Sequence, residues 1–229
     1  MGSESETAPS EEASAGLSAR LQILATEHWS LLATRGMAWN EMFSRTGMFL
    51  TALSASMVAI ALVADATDSR STFRAFALLI VPVVLLLGVG TYIRLLEARI
   101  EDMWTVVGMN RLRRGYFEIA PDLERYFVTS GHDDSNGITK TYHLGDAPVR
   151  RSPFIAATFA IVGVIDAVLI GVFAGLLVSL LTDEPGVYAT VGAICAVVAG
   201  SAMAVTIPRR RIDRFNATYV ARFPSDSAA

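Results

Sequence analysis

The chain has 229 residues and a formal net charge of −3; 52% of its residues are hydrophobic and only 18% are charged. With a mean hydropathy of +0.44, this exceeds what a water-soluble domain of ordinary composition carries. The charges almost completely avoid four apolar runs, roughly residues 46–64, 73–96, 154–181 and 187–207, which argues against an amphipathic soluble core. Each run reaches or passes the ~20 residues a helix needs to cross a bilayer.

In chain order, residues 1–16 are acidic and rich in Ser and Ala, with Glu4, Glu6, Glu11 and Glu12 and no basic residue before Arg20. That composition predicts a disordered tail and no secretory signal peptide. Leu17, Leu21, Leu24, His28, Leu31 and Leu32 then mark one face of a helix, so residues 17–43 read as an amphipathic cytoplasmic helix running into the first span. Residues 44–96 form a first transmembrane hairpin. Pro82, inside its second span, predicts a kink, because proline removes a helical hydrogen bond and clashes with the preceding turn.

Residues 97–152 hold a helical extension of the second span to about Glu118, stopped by Ala120-Pro121. A short helix is expected over 122–128, and loop from Thr129 to Arg151, where Gly, Asp, Ser and Asn accumulate. His132-Asp133-Asp134 and His143 are the loop residues closest to a metal-ligand set, and their spacing fits no zinc or calcium pattern. Residues 153–207 form a second hairpin, and 208–229 a basic tail. Arg209, Arg210, Arg211 and Arg214 follow the last span directly, placed to meet anionic lipid headgroups.

Orientation follows from the basic residues. Of the 19 Lys and Arg, all but Arg70 and Arg74 lie before the first span, between the second and third, or after the fourth. The positive-inside rule then puts both termini and the 97–152 segment in the cytoplasm, with the two short turns outside. The expected architecture is all-α: a polytopic membrane protein with four transmembrane helices arranged as two hairpins with cytoplasmic helical extensions. A bacterial plasma membrane is the expected location.

Within the spans, Gly163, Ala167, Gly171 and Gly175 recur every four residues, as do Gly192, Ala196, Gly200 and Ala204. Such stripes let helix backbones approach closely where no hydrophobic drive operates. Asp166 has no Lys or Arg within the runs to pair with. A carboxylate there costs at least ~2.5–3.5 kcal/mol on insertion scales. Two readings compete: a protonated carboxyl that glues helices by donating to Thr51, Ser54, Ser56 or Ser201, and a proton or cation relay. Cys195 is the sole cysteine, so no internal disulfide forms.

No phosphate-cradling loop, nucleophile elbow or metalloprotease pair is present, and the sequence names no catalytic residue, cofactor or metal. Nucleic acid is not expected as a partner, since acidic residues flank Arg111, Arg113 and Arg114. Residues 27–35 (EHWSLLATR), 110–114 (NRLRR) and 117–121 (FEIAP) resemble uncharacterised four-span membrane proteins of actinobacteria. The layout from 17 to 118 is similar in topology to SLATT-type membrane effectors of bacterial conflict systems, although the second hairpin departs from it. The leading expectation is a non-enzymatic membrane protein that self-associates or docks a cytoplasmic protein partner. The alternatives are a proton or ion channel or transporter using Asp166, or a pore-forming effector.

Overall fold

A computed structural model describes the backbone of residues 8–144 and 158–225, with side chains from Ser14 onward. Residues 1–7, 145–157 and 226–229, and with them Arg150 and Arg151, lie outside the described residues. The described residues are all-α. In chain order they form α1 (Ala8–Ala66), α2 (Arg70–Ile119), a 3-10 turn (Pro121–Tyr126), α3 (Ser135–Tyr142), α4 (Thr158–Val178), α5 (Pro185–Ser201), a π-helical segment (Ala202–Thr206) and α6 (Ile207–Thr218). Four of the helical stretches are long and apolar enough to cross a membrane: Ser14–Ala66, Arg70–Ile119, Thr158–Val178 and Pro185–Thr218.

Helix α1 begins at Ala8, so the helix reaches back into the tail read above as disordered. Its one proline, Pro9, lies in the first turn, where proline is tolerated, and Ala and Leu, both strong helix formers, are its commonest residues. The helix α2 continues through Pro82, which is half-buried, and ends at Ile119 before Ala120-Pro121. The basic tail begins as a helix, because α6 carries all four arginines of the 209–214 cluster. Arg209, Arg210 and Arg214 are exposed, and Arg211 is half-buried.

The chain divides into two units. The apolar unit comprises Trp39–Ile100 and Arg151–Thr218. Its core gathers Phe49, Val84, Tyr92, Leu95, Leu96, Phe159, Ala160, Val162 and Met203. Its outer surface is also aliphatic: Leu86 is 74% exposed and Val197 68%, with Met57, Leu62, Leu79 and Val168 similarly placed. An aliphatic surface of this extent suits lipid and would aggregate in water.

Charges mark the two ends of this unit. Arg74 Nη2 lies 3.3 Å from Asp183 Oδ1, so the turn after α1 and the turn before α5 share one end. At the other end Arg94 donates to both oxygens of Glu41 at 3.1 Å, and Arg99 sits 5.4 Å over the Phe159 ring. Arg74 and Arg94 are twenty residues apart on one helix, about 30 Å at ~1.5 Å per residue, which matches the hydrocarbon thickness of a bilayer. Trp39 and Phe43, their rings tilted at 35° with centroids 6.0 Å apart, flank Glu41 where an interfacial aromatic belt would lie.

The second unit comprises residues up to Ala38, Glu101–Arg150 and Tyr219–Ala229. Leu31 and Leu24 of α1 fill the space left by Gly108 and Gly115 of α2. Arg35 Nε donates to Asp102 at 2.6 Å, and Tyr142 donates to the same carboxylate at 2.7 Å. The stretch expected to be loop contains α3. Its composition is turn-like, but Asp134 caps its N-terminus by accepting from the Gly137 N–H at 2.8 Å, and Ile138 and Thr141 are buried beneath it.

Candidate intramembrane carboxyl site

Asp166 lies on α4 within the apolar unit and is fully buried, 0% exposed. Neither carboxyl oxygen has a hydrogen-bond partner. The hydroxyls expected to receive its proton are engaged or outward. Thr51 donates to its own Gly47 carbonyl, Ser201 donates to Val197, and Ser54 is exposed. Ser56 is half-buried and is no partner to the carboxyl. None of these hydroxyls is hydrogen-bonded to the carboxyl in this structure.

The room for the carboxyl comes from α2. A Cβ at Gly88 would collide with Asp166, and would also lie 2.8 Å from Cε2 of Phe49. Gly88 thus makes the recess, and the Phe49 ring closes it from α1. Gly88 is six residues from Arg94 and fourteen from Arg74, about 9 Å and 21 Å along the helix. The carboxyl consequently sits about 6 Å from the middle of the span, on its Arg94 side.

One turn beyond Gly88 toward that end is Tyr92, buried, whose hydroxyl donates to the Met203 carbonyl. The origin of that bond is legible in the backbone. The Ile207 N–H bonds to Ala202, five residues back, in the wide π register. The carbonyl of Met203 would need the N–H of residue 208 in that register, and residue 208 is a proline without one. Tyr92 supplies the missing donor. To do so its ring crosses α4 at Gly163, where a Cβ would sit 3.1 Å from Tyr92 Cε2 and 3.2 Å from the Met203 Cβ. Gly163 and Asp166 are three residues apart on one helix face.

The rest of the small-residue stripe brings α4 and α5 together. A Cβ at Gly171 would lie 2.6 Å from the Gly192 carbonyl oxygen and 2.7 Å from the Ala196 Cβ. One at Gly175 would meet the Tyr188 carbonyl at 3.1 Å, and one at Gly200 the Ala167 Cβ at 3.4 Å. Ala204 lies in the π segment. Gly163 differs from its stripe-mates because it faces Tyr92 as well as Met203.

Among the described residues no group of three His, Cys, Asp or Glu gathers as a metal site. The residues His132-Asp133-Asp134 hold the C-terminal segment instead. Asp133 is fully buried and accepts from Arg111 Nε at 2.7 Å and from the backbone N–H groups of Phe223 and Arg222 at 2.8 and 3.1 Å. Burial pushes its carboxyl up, and those donors outweigh the burial and hold it below the usual carboxylate range. Asp134 accepts from the Ser225 N–H at 3.0 Å and is likewise held low against its burial. Fully buried Asn110 ties the layer together: it donates to the His132 carbonyl and accepts from Arg113 and Thr141.

No protein-family model, curated protein or solved structure matches the chain. The functional reading therefore rests on the Asp166 recess itself. Tyr92 and Pro208 were not singled out by pattern. The available signal was Pro208 placed five residues after Met203, at the end of the fourth apolar run.

Proposed function

We propose that this chain is a four-span protein of the bacterial plasma membrane that binds and releases a proton at Asp166, as a proton channel or proton-coupled transporter. The observation that carries this reading is a carboxyl group buried in a lipid-facing bundle with both oxygens unpartnered. An ionisable residue in such a place faces a cost of several kcal/mol. Here no interhelical hydrogen bond offsets it. A proton fits the recess better than a metal cation, which needs several oxygen ligands. Phe49 and Gly88 supply none from their side chains, and the Met203 carbonyl already accepts from Tyr92.

The cytoplasmic placement of both termini and of residues 97–152 is part of the same proposal. It is supported by the basic residues outside the two short turns. On that orientation Asp166 exchanges with the cytoplasmic side, about 9 Å from the level of Arg94. The test is proton flux in proteoliposomes loaded with a pH-sensitive dye, comparing wild type with Asp166→Asn and Asp166→Leu. The reading predicts flux in wild type alone; equal flux in all three, or none in wild type, removes it.

A second reading, self-association of two copies through α1, is supported by Ile23, Trp29 and Met37, which are 69%, 71% and 65% exposed. Crosslinking in native membranes through cysteines placed at these three positions tests it, and purely monomeric product would count against it.

A further inference from the structure

We infer that Tyr92 is the lid of the Asp166 recess, latched by its hydroxyl on the Met203 carbonyl, and that unlatching it admits protons from the Arg94 end. The inference rests on the proton-binding reading of Asp166 and adds the device that regulates access.

Three observations place the lid. Tyr92 follows Gly88 by four residues, so its ring lies one helical turn from the recess on the same face of α2. The ring contacts Gly163, three residues from Asp166 on the same face of α4, and continues to Met203. It therefore covers the carboxyl on the side from which the path to the arginine-marked end is shortest. Gly163 leaves the room for the ring edge to pass α4, and a side chain there would crowd Tyr92 and Met203.

The latch is breakable by construction. A helix ordinarily holds its carbonyls with its own amides, so a tyrosine would have nothing to bind. The π register and Pro208 deny Met203 both its amide four residues on, taken by Ala202, and the one five residues on, which is absent. The carbonyl is buried with Met203, and leaving it bare is costly. A small rearrangement that returns the segment to the ordinary α register gives Ile207 N–H back to Met203 and releases Tyr92. The π register with the lid latched and the α register with it released are thus the two states of one switch, of the kind for which single-turn π-bulges are suited.

The charged and titratable groups facing Tyr92 are Asp166 beneath it and Arg211 of α6, which acts on it electrostatically. Phe49, Gly88, Gly163 and Met203 carry no charge. Arg211 belongs to the arginine cluster of α6 at the basic end.

The experiment is time-resolved infrared spectroscopy of the full chain in lipid vesicles after a pH jump. It follows the carbonyl band of the protonated Asp166 carboxyl, identified by its loss in Asp166→Asn. Tyr92→Phe keeps the ring and removes the latch, and exchange is expected to accelerate about 2- to 10-fold, the worth of one net hydrogen bond. Pro208→Ala restores a backbone donor and frees the tyrosine by the opposite route, so it is expected to accelerate exchange over the same range. Either variant exchanging at the wild-type rate, while the wild-type band responds to pH, overturns the lid and leaves the proton site standing. A wild-type band that ignores pH overturns the proton site, and the lid with it.

Discussion

Replacing Gly192 by alanine tests the packing that holds the second hairpin together. The added methyl carbon would lie 2.7 Å from the Gly171 carbonyl oxygen, and ordinary contact begins at 3.4 Å. The opposing atoms are backbone and cannot swing aside, so α4 and α5 must part by roughly 0.7 Å. A radial gap of that order forfeits about a quarter to a half of each neighbouring atom pair's attraction. In lipid no hydrophobic drive between helices compensates. Overpacking of this kind costs about 1–3 kcal/mol. Gly47 and Gly90 make a matched control, because nothing lies within 4 Å of a Cβ at either position. There alanine is expected to stabilise by about 0.5–1 kcal/mol through reduced chain entropy. The assay is reversible unfolding in mixed detergent micelles followed by circular dichroism. A Gly192→Ala protein as stable as wild type, beside a stabilised Gly47→Ala, would refute the close approach.

Asp133→Ala removes the acceptor for Arg111 and for two backbone amides of the C-terminal segment. It is expected to destabilise by about 3 kcal/mol, the lower end for breaking a buried pair, because Arg111 is partly exposed. Tryptic cleavage after Arg222 should accelerate in the same variant, and unchanged cleavage would contradict the clamp. The clamp should also respond to acid. Asp133 and Asp134 are held below their ordinary values, so their stabilising contribution is full above about pH 4 and is lost as pH falls through their lowered values. Glu41, brought down to about 2 by hydrogen bonds from Arg94 and then Arg45, should keep its ion pair through that window. Release of the 219–225 segment, read by spin-label mobility, is therefore expected below pH 4 and not between pH 5 and 8.

The spans were legible because lipid imposes a length and a composition that few other environments demand. The run read over 73–96 includes Arg74 and Arg94, and only the structure shows these arginines paired with Asp183 and Glu41. The glycine stripe was readable for a related reason: Gly171 and Gly192 need no side chain because another backbone occupies that space. The helix α3 was not legible, since Ser135-Asn136-Gly137 has the composition of a turn and becomes helical through the Asp134 cap and the burial of Ile138. Propensity yields to tertiary context in so short an element. Asp133 was noticed only as a loop residue whose spacing fits no metal pattern, and its structural part was not legible, because a buried aspartate accepting from backbone amides about ninety residues away leaves no local pattern. The Asp166 carboxyl was conspicuous by type, but its recess depends on Gly88 and Tyr92 from another helix and on a π register that periodicity does not encode.

The most direct test of the membrane arrangement is labelling of single cysteines by an impermeant maleimide on intact cells. Cys195 is first replaced by serine, and one cysteine is then placed at Ser69, Asp183, Lys140 or Ser225. The turn positions 69 and 183 are expected to react from outside, and 140 and 225 only after the cells are opened. Labelling of 225 on intact cells, or failure of either turn to react while the other does, would contradict two hairpins entering from the arginine-rich side.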